Sequence, residues 1–194
     1  LYLKDGSYSI VVVPEIDGKS TYKSLIITNK HLGVNDTSQL KNKTFALTDR
    51  LSNTGYLFPN YYFSKNFSKP ESFFSKIFFT GTHDKSIYLV NKGVVDAAAV
   101  DNLVYDNLKS QNIKNVENIN IIHTSPEFGI PPIVASNKMN NEDIRRLQEV
   151  LLNMHKDEKG RYILNELMMD RFILPDMEAY ENVLIMKDYV ENTN

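Results

Sequence analysis

The sequence predicts an α/β protein whose sheet is parallel or mixed and covered on both faces. Three observations carry this. Between residues 43 and 123, short apolar runs of strand length alternate with segments whose apolar residues recur at helical spacing. Two strands run into turns rich in hydroxyls and glycine, Ser52-Asn53-Thr54-Gly55 and Thr80-Gly81-Thr82-His83, each of which opens a helix. A third strand ends in Ala97-Ala98-Ala99-Val100, too small and apolar to face water.

Taken in order, residues 8–13 and 22–28 predict two strands separated by the turn-rich Pro14-Glu15-Ile16-Asp17-Gly18-Lys19. Thr37-Ser38-Gln39-Leu40 predicts a short capped turn before a strand over 43–48. Tyr, Leu and Phe at helical spacing predict a helix over 55–65, with Pro59 in the first turn, where its missing N–H does no harm. A strand at 77–79, a helix over 84–92, a strand over 95–100 and a helix near 102–110 follow, then a strand at 120–123. Residues 129–135 read as an extended crossing segment. Asn140-Asn141-Glu142-Asp143 caps a helix with Ile144, Leu147, Val150, Leu151 and Met154 at three-and-four spacing. Helices near 158–168 and 176–190 close the chain.

Bulk properties narrow the function classes. A chain of 194 residues, 42% hydrophobic, is long enough for a sizeable core. Its net charge of −2 gives no electrostatic case for nucleic acid or an anionic membrane surface. Any anion site is therefore local, built from backbone dipoles and a few side chains. Cysteine is absent, which excludes disulfides and thiolate metal sites. No run approaches the ~18 apolar residues of a membrane span. The chain opens at Leu1-Tyr2-Leu3-Lys4 without a methionine or a signal peptide, as expected of a processed form or a fragment.

The chemistry-bearing residues cluster where ligands bind in such sheets, at the carboxyl ends of strands where helix N-termini gather. Ser52 and Thr54 offer hydroxyls, and Gly55 lets a ligand approach the backbone. The same residues also suit an ordinary helix cap. His83, between Thr82 and Asp84, is a cationic or donor imidazole facing an oxyanion, or a cap at a loop–helix junction. Asp101 either caps the next helix or accepts a hydrogen bond from a ligand O–H or N–H. Catalysis is not expected: Ser52, His83 and Asp101 lack a nucleophile elbow, and His31, His83, His123 and His155 lack metal-ligand spacing.

Four motifs, in order, give the chain a family resemblance. They are Asp49-x-x-Ser52-Asn53-Thr54-Gly55-Tyr56, Gly81-Thr82-His83-Asp84-Lys85-Ser86-Ile87, Val95-Asp96-Ala97-Ala98-Ala99-Val100-Asp101 and Ser125-Pro126-x-Phe128-Gly129-Ile130-Pro131-Pro132. Together with Asp170-Arg171-Phe172, they resemble the phosphate/phosphite/phosphonate-binding proteins of ABC importers, over residues 20–175. The resemblance implies a periplasmic-binding-protein type II fold: two α/β lobes, two hinge strands, and a ligand clamped between the lobes. It implies a first-lobe remnant and hinge strand at 1–30, a second lobe at 31–122, and a hinge strand with returning first-lobe helices at 123–194. The hinge strands themselves would be 20–28 and 128–135. Family members carry roughly half a lobe before the point where this chain begins. Apolar helix faces at 144–168 would then be exposed, favouring self-association.

Carried over residue by residue, the resemblance makes Ser52, Asn53 and Thr54 the phosphonyl cradle, with His83 beside it and Tyr22 donating a hydroxyl. It implies a small phosphorus oxyanion as ligand, no cofactor, an extracytoplasmic location, and an ABC permease as partner. A sensor role, with a transmembrane domain as partner, is the alternative. One departure stands out. Phosphonate and phosphite receptors carry an aspartate after Ser-Pro, where this chain has Pro131, leaving Asp101 as the substitute.

Overall fold

The computed structural model describes residues 7–193. In chain order its elements are β1 (Tyr8–Glu15), β2 (Thr21–Tyr22), β3 (Ser24–Asn29), β4 (Thr44–Leu47), α1 (Phe58–Asn66), α2 (Pro70–Phe73), β5 (Lys76–Phe79) and α3 (His83–Asn91). Then come β6 (Ala97–Asp101), α4 (Asn102–Gln111), β7 (Ile119–Thr124), β8 (Phe128–Gly129), β9 (Ile133–Ser136), α5 (Asn141–Asn153), α6 (Glu158–Glu166), β10 (Arg171–Ile173) and α7 (Glu181–Thr193). The chain divides into two compact units. One holds the residues up to Tyr22 with Glu127–Glu181; the other holds Lys23–Pro126 and the chain from Asn182 onward.

In the first unit β1 is the middle strand of an antiparallel sheet of order β10-β1-β9. Its run Val11-Val12-Val13 is buried on both sides of the pleat. Ile144, Leu147 and Leu151 of α5 and Leu164 of α6 pack with Val11, Val12 and Phe172. Arg171 and Glu15 form a bidentate pair across β1 and β10, at 2.7 and 3.2 Å. β2 and β8 form a separate two-stranded ladder, with the Tyr22 ring edge-on to Phe128. Gly129 is fixed by packing: a Cβ there would stand 2.6 Å from the Tyr180 ring, whose hydroxyl donates to the Ile130 carbonyl at 2.7 Å. Part of the helical apolar surface is uncovered, with Val150, Ile163 and Leu167 at 66%, 46% and 50% exposure.

The second unit is built on a five-stranded mixed sheet of order β5-β4-β6-β3-β7. β4 runs parallel to both β5 and β6, whereas β3 is antiparallel to β6 and β7. Side chains alternate across the pleat. Ala46, Ala98 and Val100 face Ile87 and Val90 of α3 and Tyr105 of α4. Phe45 faces the other way, stacked on Phe74 at 4.3 Å and edge-on to Phe63 of α1 at 5.5 Å. Both faces are thus covered, as the continuous apolar strands require.

The division of the chain falls at Tyr22/Lys23 and Pro126/Glu127, where boundaries near 30 and 122 were expected. The reason lies in β3, all six of whose residues are buried between β6 and β7. The expected strand over 20–28 is therefore two strands in different sheets. Residues 128–135 likewise split into β8 and β9 around Pro131 and Pro132, which have no N–H to give a ladder. From Asn182 the chain groups with the second unit, and Tyr189 meets Tyr61 of α1 edge-on at 5.2 Å.

Candidate functional site

Because β4, β5 and β6 are parallel, their carboxyl ends lie at one end of the sheet. There the chain leaves each strand through a short turn and enters a helix, over 48–58, 80–83 and 101–102. Helix amides and dipoles gathered in this way favour an anion.

The first two turns are tied to one another through Thr48. Its N–H donates to the Gly55 carbonyl at 3.1 Å, and its carbonyl accepts from the Gly81 N–H at 2.9 Å. The Thr48 side chain is fully buried, and its hydroxyl has no hydrogen-bond partner among the described residues. A Cβ on Gly55 would come within 2.1 Å of that hydroxyl oxygen. Gly55 was expected to admit a ligand to the backbone; the space beside its Cα is instead taken by Thr48. The glycine is required by packing.

Residues Asn53–Leu57 form one wide π-type turn, capped by Ser52, whose Oγ accepts from the Gly55 N–H at 2.9 Å. The rungs begin with Leu57 N–H to the Ser52 carbonyl at 3.0 Å and Phe58 N–H to the Asn53 carbonyl. The Thr54 N–H precedes them, at the electropositive head of the turn. Thr54 itself is 1% exposed, so its side chain belongs to the interior. Its carbonyl accepts from the Ser24 hydroxyl at 2.6 Å, and the Ser24 N–H donates to Ser125 Oγ at 2.8 Å. Ser24 and Thr48 carry no motif signal and Ser125 only opens one; each acts through a contact that spacing does not reveal.

His83 begins α3 and is held at both ring nitrogens. The Asp101 backbone N–H donates to Nδ1 at 3.0 Å, and Nε2 lies 3.3 Å from Ser52 Oγ. With Nδ1 occupied as an acceptor, the ring proton sits on Nε2. Burial lowers the pKa of His83, opposed by the carboxylates of Asp49 and Asp84. Burial and the Asp101 amide both favour the neutral imidazole with its proton on Nε2 over the cationic form.

Asp101 serves as a cap: its Oδ1 accepts from the Leu103 N–H at 2.7 Å, closing the first turn of α4. Burial pushes its carboxyl up to about 6, against the Leu103 and Val104 amides that favour the charged form. Ser52, His83 and Asp101 are thus joined in one hydrogen-bonded chain, with Asn53 and Gly55 in the turn that begins beside it. Tyr22 lies in the first unit, buried in β2.

The family model described as the periplasmic substrate-binding protein of phosphonate ABC transporters matches residues 2–180. A probable ABC transporter phosphite-binding protein of Prochlorococcus marinus (strain MIT 9301) is 29% identical over 185 residues, covering 89% of this chain and 62% of that protein. The phosphonates-binding periplasmic protein of Escherichia coli (strain K12) is 28% identical over 156 residues, covering 78% of this chain and 46% of its own length. The chain thus spans about half to two thirds of these relatives. The Prochlorococcus protein solved with methylphosphonate superposes with a TM-score of 0.83 at 26% identity, over 98% of this chain and 74% of the other. A phosphonate-transporter binding component from Pseudomonas aeruginosa gives 0.85 at 22% identity, over 98% and 65%, a likeness of fold alone. The fold is that of the type II periplasmic binding proteins.

Proposed function

The chain belongs to the periplasmic phosphonate substrate-binding proteins of ABC transporters, and we propose that it captures phosphite or a small phosphonate for an ABC importer by hydrogen bonding alone. The observation that carries this is the Ser52–His83–Asp101 chain at the carboxyl ends of three parallel strands. The Ser52 hydroxyl, the Thr54 N–H and the head of α3 supply donors without a cationic side chain. Such donors suit a tetrahedral oxyanion, and each bond to a charged oxygen contributes about 1.5–3 kcal/mol.

The ligand takes its class from one relative, the Prochlorococcus protein, which is a probable phosphite-binding protein and is solved with methylphosphonate. By the family resemblance Pro131 replaces the aspartate that meets a ligand's amine, which favours ligands with a bare or methylated phosphorus over 2-aminoethylphosphonate. An extracytoplasmic location and a permease partner follow from the family. No helix among the described residues is long and apolar enough to cross a membrane.

Isothermal calorimetry with phosphite, methylphosphonate, 2-aminoethylphosphonate and phosphate tests the assignment. Binding heats are expected for phosphite and methylphosphonate, weaker for 2-aminoethylphosphonate. Silence with all four would reject it.

A further inference from the structure

The hydrogen bonds around His83 determine more than which residues meet. Ser52 Oγ has two lone pairs and one proton. The Gly55 N–H occupies one lone pair at 2.9 Å. His83 Nε2 approaches the same oxygen at 3.3 Å. Whether Nε2 gives or takes a proton there depends on Nδ1, and Nδ1 accepts from the Asp101 amide at 3.0 Å. That amide cannot lose its proton, so Nδ1 stays an acceptor and Nε2 carries the hydrogen. Both lone pairs of Ser52 are then taken, and its own O–H has only a donor's role left. The charged groups facing the imidazole are carboxylates: Asp49 from the turn after β4 and Asp84 from α3. They draw the ring toward its cation, but protonating Nδ1 would set an N–H against the Asp101 N–H.

We propose that the Asp101 backbone amide, by holding His83 Nδ1 as an acceptor, makes this centre donor-only, so that it takes the doubly deprotonated face of its oxyanion and rejects the singly protonated one. The inference rests on the binding reading above and adds the ionisation state of the ligand to it. A P–OH turned toward Ser52 finds no lone pair to receive it, and its proton stands against the serine's own. A fully ionised oxygen accepts from every donor at once. Selection thus comes from which atoms carry hydrogen. Asp101 is a positioning residue here, acting through its main chain.

Two measurements test this. Long-range proton–nitrogen NMR of the ligand-free, nitrogen-15-labelled protein reads the tautomer directly, with His83→Gln identifying the signal among the four histidines. The expected result is a neutral Nε2–H ring at neutral pH; an Nδ1–H tautomer or an imidazolium overturns the inference. Calorimetry with methylphosphonate and with phosphite is then run across pH. If only the dianion binds, apparent affinity falls about tenfold per pH unit below the ligand's second ionisation, as the competent fraction falls. The midpoint should move with the ligand's own second pKa. A midpoint fixed between the two ligands, or equal affinity for both ionisation states, overturns the inference. The two readings fail separately. A wrong tautomer with tight binding sinks this inference alone, whereas the expected tautomer with no heat at any pH sinks the binding assignment and the ligand half of this inference with it.

Discussion

The Oγ of Ser52 and the Nε2 of His83 stand 3.3 Å apart although 31 residues separate them in the chain. They meet because β4 and β5 are adjacent and parallel, and the turn after each is tied to Thr48. This pair is the centre of the proposed site.

Removing the serine hydroxyl therefore affects both binding and the turn. Ser52→Ala is expected to weaken phosphite or methylphosphonate binding by about 1.5–3 kcal/mol, the contribution of one charge-assisted bond. It also removes the cap on the Gly55 N–H, which lowers stability by about 0.5–2 kcal/mol. Calorimetry and urea melts measure the two effects; unchanged affinity would move the ligand elsewhere.

Gly55 and Thr48 are expected to be coupled. A Cβ at residue 55 would stand 2.1 Å from Thr48 Oγ1 and 2.7 Å from its Cγ2. Gly55→Ala should cost about 1–3 kcal/mol, the usual penalty of overpacking. Thr48→Ala removes these two atoms and leaves only its own Cβ, at 2.9 Å, so the double variant should recover part of that loss. A double-mutant cycle measures the coupling, and simple additivity would contradict the contact.

Asp101 gives a pH signature with a definite sign. Its carboxyl rises from an ordinary 3.8 to about 6 because burial disfavours the charge. A carboxyl shifted upward on folding contributes stability that is complete below 3.8 and is lost as pH rises through about 6. Asp101→Asn keeps a capping oxygen but cannot ionise. The variant should gain stability relative to the parent as pH climbs through that window. Denaturant melts at several pH values read this, and a constant difference would contradict it.

In the first unit, Tyr180 covers Gly129 and donates to the Ile130 carbonyl. Tyr180→Phe should cost about 0.5–1.5 kcal/mol for the lost bond. Gly129→Ala should cost more, since its methyl would enter the ring. The reverse order in thermal melts would show that the ring yields.

Much of the second unit could be read from the chain, because its strands are continuous apolar runs and its helices are periodic. Ala97-Ala98-Ala99-Val100 marks the inner strand, and Ser52, His83 and Asp101, three of the seven candidate site residues, are joined by hydrogen bonds in the fold. What escaped was short or tertiary. Three residues in β10 and four in α2 are too few to show a period. The π-type turn depends on which carbonyl Leu57 reaches, a matter of geometry more than composition. Gly55 announces a backbone requirement, but the Thr48 side chain behind it appears only in the fold. The protonation of His83 was open for the same reason: its partner is the main chain of Asp101, 18 residues away. A backbone amide leaves no mark in the sequence.

The most direct test of the central claim is where a ligand lands. Titrating the nitrogen-15-labelled protein with methylphosphonate should shift the amides of Thr54, Gly55, His83 and Asp101 together, with a common saturation point. Saturable shifts confined to other residues, or none at all, would contradict it.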